Sequence, residues 1–139
     1  MSPILRSSLT ILVVDDESAV LDLVKLILET AGYTVLVASN ARQALAFFET
    51  RDYWIDLLLT DINMPEMSGL ELACRVSEIA PRLPMLFMTG YRAENPGTEI
   101  LRAAGPFSDC VVISKPFTSR ELLGEVTGIF LTMRVKQAG

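Results

Sequence analysis

Histidine is missing from this chain: none of its 139 residues is one. That excludes His-based acid–base catalysis, His metal ligation and any phosphohistidine carried by the chain itself. Cysteine is nearly as scarce. Cys74 and Cys110 lack the paired spacing of a metal site, so they are expected to be free, buried thiols in a reducing compartment. No apolar run approaches the roughly 20 residues of a membrane span. Met1 to Arg6 lacks the basic-then-apolar order of a signal peptide, so the expectation is a cytoplasmic protein without membrane contact. A basic excess is also absent: the net charge of −5 argues against direct nucleic-acid binding, which needs a basic face. There is no internal repeat, low-complexity tract or linker.

What is present fits one domain of ordinary size, residues 1–139 with a core of about 9–134. Half the residues are hydrophobic and 21% are charged, a globular balance. Leu9 to Val14 reads as a strand, followed by three acids, Asp15, Asp16 and Glu17. Val20, Val24, Ile27, Leu28 and Ala31 then mark one helix face, stopped by Gly32. Tyr33 to Ala38 is a second strand, and Asn40 opens a helix with Gln43 placed to complete its cap. Asp56 to Thr60, with Leu57, Leu58 and Leu59 at its centre, has the character of a strand buried on both faces. Ser68 and Glu71 form a capping box for a helix to about Ile79. Met85 to Met88 is a fourth strand, reaching Thr89-Gly90. Between Arg92 and Ser108 there is room for about two helical turns, Thr98 to Ala104. Cys110 to Ser114 is a fifth strand ended by Lys115-Pro116. Thr118 and Glu121 cap a last helix striped by Leu122, Val126, Ile129, Phe130 and Met133. Residues 1–8 and 135–139 are expected to be loose ends. Strand-then-helix alternation with short connections calls for a parallel sheet with helices on both faces.

The strand ends carry the functional signal. The first strand ends in Asp15 and Asp16, the third in Asp61, the fourth in Thr89 and the fifth in Lys115. In a parallel sheet these ends share one edge. Each has an ordinary reading alone: Asp61 as a turn residue, the acid run as a helix start, Thr89 as a strand end, Lys115 as a solvated lysine. Their coincidence at successive strand ends is what selects a site. Three converging carboxylates repel one another unless protonated or neutralised. An oxygen-only donor set points to a hard divalent cation, Mg²⁺. Lys115, one of three lysines against nine arginines, is aimed at the acids, where it can pair with Asp61 or with a phosphoryl oxygen. Thr89 offers a hydroxyl to another such oxygen. Asp61 is then the nucleophile that forms an acyl phosphate.

At this point the chain resembles the receiver domain of two-component response regulators over roughly Leu9 to Arg134. The resemblance is carried by Val-Val-Asp15-Asp16-Glu17, Leu-Thr-Asp61-Ile-Asn63-Met-Pro65, Ser-Gly-Leu-Glu71, Met-Thr89-Gly-Tyr91 and Ser-Lys115-Pro-Phe117. It implies an α/β, flavodoxin-like three-layer sandwich, with a five-stranded parallel sheet in the order 2-1-3-4-5. It implies Asp61 as the phosphoacceptor, supplied by a phosphohistidine on a histidine kinase or phosphotransfer protein, and Thr89 and Lys115 as the groups holding the phosphoryl group. Mg²⁺ would be ligated by Asp61, directly by Asp16, largely through water by Asp15, and by the backbone carbonyl of Asn63. A cis peptide between Lys115 and Pro116 and, among partners, a homodimer also follow from it.

Two departures from the family pattern bear on signalling. Val112 stands where many receivers have a mobile aromatic, leaving Phe107 or Tyr91 to take its place, and the segment expected to be a fourth helix is broken by Pro96, Gly97, Gly105 and Pro106. Tyr91 and Asn63 lie where receivers tune the lifetime of the acyl phosphate. No output domain is expected after Met133, which leaves a stand-alone regulator or the receiver of a hybrid sensor kinase. The chemistry expected is the chain's own phosphorylation and dephosphorylation. Two readings of other classes stand beside it. A Mg²⁺-dependent aspartyl-phosphate phosphatase would need a second carboxylate where Asn63 is. A pseudo-receiver interaction module would not need the full set of Asp15, Asp16, Asp61, Thr89 and Lys115.

Overall fold

Five short apolar runs lie side by side in the computed structural model, which describes residues 8–50, 53–90, 107 and 109–138, with side chains through Met133. The elements alternate as β1 (Thr10–Val14), α1 (Ser18–Thr30), β2 (Thr34–Ala38), α2 (Ala41–Thr50), β3 (Leu57–Asp61), α3 (Gly69–Ile79), β4 (Met85–Thr89), β5 (Val111–Ser114) and α4 (Ser119–Ala138). The strands form one parallel sheet in the order β2-β1-β3-β4-β5. The expected flavodoxin-like order is therefore the observed one. The connection leaving β1 goes to one side and the one leaving β2 returns past it to the other. This reversal opens a crevice at the carboxyl ends of β1 and β3, where doubly wound sheets bind ligands.

The pleat sorts the core into two layers. Leu12, Val14, Leu58 and Phe87 pack with Ala41, Ala44 and Phe48 of α2 and Leu72, Ala73 and Val76 of α3. Ile11, Val13, Leu57, Leu59 and Met88 pack with Leu21, Val24 and Leu28 of α1 and Leu122, Val126 and Phe130 of α4. Every residue of β3 and β4 is buried. Leu57, Leu58 and Leu59 have no exposed surface, and each contributes about 2 kcal/mol by leaving water.

The helix ends follow the capping residues. Asn40 Oδ1 accepts the Gln43 N–H at 2.8 Å, and Gln43 Oε1 accepts the Ser39 N–H at 2.9 Å. Thr118 and Glu121 form both halves of their box, at 3.0 and 3.1 Å. Ser68 Oγ accepts the Glu71 N–H at 3.2 Å. At the end of α1, Gly32 has φ 102°, and the N–H groups of Gly32 and Tyr33 reach the carbonyls of Glu29 and Leu28, a Schellman closure that needs a residue tolerant of positive φ.

Two expectations change. α4 runs to Ala138, because Val135 to Ala138 contains no breaker before Gly139; the tail from 135 is helical rather than loose. The cysteines are free, but Cys74 is exposed and Cys110 half-buried: Cys74 lies on the outer side of α3, away from Leu72, Ala73 and Val76, and Cys110 precedes an edge strand. The two helical turns expected at Thr98 to Ala104 and the aromatic Tyr91 lie outside the described residues. Phe107 is described; it is buried and packs edge-on against Phe87, ring centroids 5.9 Å apart. Val112 is half-buried against the same cluster.

Candidate acidic site at the sheet edge

Backbone bonds tie the strand ends together before any side chain acts. The Asp15 N–H donates to the Ala38 carbonyl, Ile62 to Met88 and Lys115 to Thr89. After β3 the chain turns sharply: the Met67 N–H reaches the Pro65 carbonyl at 2.8 Å across Glu66, whose φ is 70°, a strained γ-turn for a residue with a side chain. The turn brings α3 back against β3, and the Gly69 N–H donates to the Ile62 carbonyl at 2.8 Å. A Cβ on Gly69 would lie 2.1 Å from the Asp61 carbonyl oxygen; only a glycine lets the helix start this close to the strand bearing Asp61.

The acids converge on this edge. Asp15, Asp16 and Asp61 each offer an oxygen, and these three atoms lie within 4.8 Å of one another. Asp15 is fully buried, Asp61 is 5% exposed and Asp16 is open to solvent. Asp15 Oδ1 accepts the Glu17 N–H at 2.9 Å, so the first acid also fixes the start of α1. Asp61 Oδ1 accepts the Asn63 N–H at 3.3 Å. Burial, chiefly, and the charges of Asp15 and Asp16 push the Asp61 carboxyl up from 3.8 to about 6, against the opposing pull of Lys115 and the Asn63 N–H. Such a group is desolvated yet ionised at neutral pH, a state suited to a nucleophile or a cation ligand.

Lys115 stands over the cluster, but its first partner is not Asp61. Nζ is 2.6 Å from Asp15 Oδ2, 3.5 Å from Asp61 Oδ2 and 3.8 Å from Glu17 Oε1. Burial would lower the pKa of the ammonium, yet the hydrogen bond to Asp15 and the charges of Asp61, Asp15 and Glu17 outweigh it and hold the pKa above 10.5. Thr89 closes β4, buried at 4% exposure, and its carbonyl takes the Lys115 N–H. The Lys115–Pro116 peptide is cis, as the resemblance implied. Asn63 is exposed and lines the same cavity, of about 710 Å³, as Asp16, Glu17, Asp61 and Lys115. Its apolar side is formed by Val20, Leu23, Pro116 and Phe117.

The structure therefore brings together Asp15, Asp16, Asp61, Asn63, Thr89 and Lys115, all six of the residues picked out in the sequence. Two participants were not singled out. Glu17 was visible as the third acid of the run after β1, but its approach to Lys115 depends on the start of α1. Gly69 stood inside the Ser-Gly-Leu-Glu71 cap, and nothing in that spacing shows how close α3 comes to β3.

A family model for the response regulator receiver domain matches residues 11–127. The chain is 40% identical over 118 residues to the response regulator receiver protein CpdR of Brucella abortus, covering 84% of this chain and 92% of that one. It is 34% identical over 122 residues to the phosphate regulon transcriptional regulatory protein PhoB of Pseudomonas aeruginosa, covering 86% of this chain but 51% of that longer protein. Among solved structures, a CheY-like response regulator receiver domain protein from Methanospirillum hungatei superposes with a TM-score of 0.80 at 33% identity, over 94% of this chain and 99% of that one. The strand order, the acids on the β1 and β3 ends and these matches agree: this chain belongs to the receiver domains of two-component response regulators.

Proposed function

We propose that the chain accepts a phosphoryl group on Asp61 from a phosphohistidine of a partner kinase or phosphotransfer protein, with Mg²⁺ held at the acidic cluster. The observation that carries the reading is the approach of three carboxylate oxygens to within 4.8 Å in a cluster that includes no histidine or cysteine among the described residues. Such a donor set fits a hard divalent cation. Asp15, Asp16 and Asp61 would hold it, with the Asn63 backbone carbonyl as a further oxygen. Bound there, the cation supplies charge neutralisation at the phosphoryl oxygens.

The residues of the chain do the rest. An Asp61 oxygen attacks phosphorus, the O–P bond forms as the P–N bond to the donor imidazole breaks, and the imidazole leaves after taking up a proton. Lys115 and the Thr89 hydroxyl hold the transferred oxygens and stabilise charge that builds in the transition state. The half-exposed Leu23 and Phe117 form an apolar rim that a partner would cover during transfer. Phosphorylation then shifts an equilibrium between two conformations that partners read. Phe107, packed on Phe87 beside Val112, is the aromatic placed to respond.

The test is incubation with a small acyl-phosphate donor, with and without Mg²⁺, followed by intact mass measurement. One added phosphoryl group is expected, dependent on Mg²⁺ and absent in Asp61→Asn. Persistence of the adduct in that variant would defeat the site assignment. No adduct under any condition would favour an interaction module that signals without phosphorylation.

A further inference from the structure

Lys115 and Glu17 are related in a way that the phosphoryl chemistry does not use. Asp15 has both carboxylate oxygens engaged, Oδ1 by the Glu17 N–H at 2.9 Å and Oδ2 by Lys115 Nζ at 2.6 Å. The ammonium therefore sits on one of the atoms a divalent cation would need. Two further carboxylates lie within reach of the same Nζ: Asp61 at 3.5 Å and Glu17 at 3.8 Å. Asp61 is itself part of the cation's donor set, which leaves Glu17 as the acceptor outside that set. Its side chain is 65% exposed, so it can follow the ammonium by rotating, whereas buried Asp15 cannot. Its backbone is pinned to Asp15 through the N–H bond, so its distance from the cluster is set by the acid it relieves.

We propose that Lys115 is the site's own counter-cation, competing with the divalent cation for Asp15, and that Glu17 is a positioning residue that takes over the Lys115 ammonium when Asp15 turns to the cation. The inference rests on the reading of a divalent cation at this cluster. It assigns Glu17 a role through Lys115 rather than through the metal, and that distinction can be measured. If Glu17 acted only as one more negative charge near the cation, removing its charge would weaken binding whether or not Lys115 were present. If it acts by receiving the ammonium, its effect disappears once Lys115 carries no charge.

The experiment is a double-mutant cycle on the purified chain, without phosphoryl donor, titrating Mg²⁺ by calorimetry. Lys115→Met is expected to tighten Mg²⁺ binding about tenfold, because Asp15 Oδ2 is released. Glu17→Gln alone is expected to weaken it about fivefold, and by less than about twofold in the Lys115→Met background. Lys115→Arg, which retains the charge, is expected to keep the Glu17→Gln effect, and it carries the test if Lys115→Met does not fold by circular dichroism: an effect no larger with arginine than about twofold then overturns the proposal. Equal Glu17→Gln losses with lysine and methionine at position 115 would overturn it while leaving the cation site intact. Absence of Mg²⁺ heat in the wild type and every variant would overturn it together with the cation reading, a pattern the equal-loss result does not resemble.

Discussion

Asp61→Asn is expected to make the protein more stable at neutral pH while abolishing phosphoryl uptake. The carboxyl is pushed from 3.8 up to about 6 in the fold, first by burial, so the ionised group is a burden on the native state. At 1.36 kcal/mol for each tenfold change in proton affinity, the burden is roughly 3 kcal/mol. Its direction follows from proton binding. Below about pH 4 the group is protonated in both the folded and unfolded chains and costs nothing; between about pH 4 and 6 the folded chain binds more protons, so stability falls as pH rises; above about pH 6 the full cost is present. Asparagine mimics the protonated form. Urea unfolding with chelator present should therefore show a gain for the variant at pH 7.5 and none near pH 4. Added Mg²⁺ should stabilise the wild type and not the variant. Equal unfolding midpoints at pH 7.5 would refute the argument.

Gly69→Ala is expected to act in the opposite sense and at least as strongly. The new Cβ would lie 2.1 Å from the Asp61 carbonyl oxygen, 2.9 Å from its carbon and 3.0 Å from Ile62 Cα. All three are backbone atoms, held by the Gly69–Ile62 and Ile62–Met88 bonds, so no side chain can rotate away. The cost is about 3 kcal/mol or more, and relief by moving α3 outward would drag the turn that positions Asn63. Phosphoryl uptake should fall together with the urea midpoint. Gly124 and Gly128 in α4 meet nothing within 4 Å, and alanine at either should stabilise by about 0.5–1 kcal/mol. A Gly69→Ala protein that unfolds like the wild type would show that the close approach is not obligatory.

These two residues mark how far the sequence could be read. The strand order and the convergence of Asp15, Asp16, Asp61, Thr89 and Lys115 were legible, because apolar runs and the polar groups that end them are one-dimensional signals that a parallel sheet turns into one edge. Strand starts were less so. Leu9, Tyr33, Asp56 and Cys110 each read as strand, and each lies one residue before the observed start. At Asp56 the reason is visible: its N–H donates to the Thr10 carbonyl at 2.8 Å, but the Thr10 N–H goes to its carboxylate, also at 2.8 Å, so a side chain supplies half of the pairing. Side-chain partnership was the least legible. Lys115 could be aimed at the acids from its place after β5, but its preference for Asp15 over Asp61 depends on the length and direction of its stem. Gly69 belongs to the same class, since contact between a helix start and a strand end is a distance in space with no spacing to announce it.

The one tryptophan gives the fold an optical address. Trp54 is 60% exposed and its indole N–H donates to Asp56 Oδ1 at 3.0 Å, just before β3 begins. Asp61 closes that strand, and the four steps from Leu57 to Asp61 alone span about 13 Å. Emission from Trp54 thus originates at the end of the sheet opposite the acids. It reports the anchoring of β3 beside β1 and the unfolding of the whole domain, and leaves the filling of the acidic site to probes placed at its own edge.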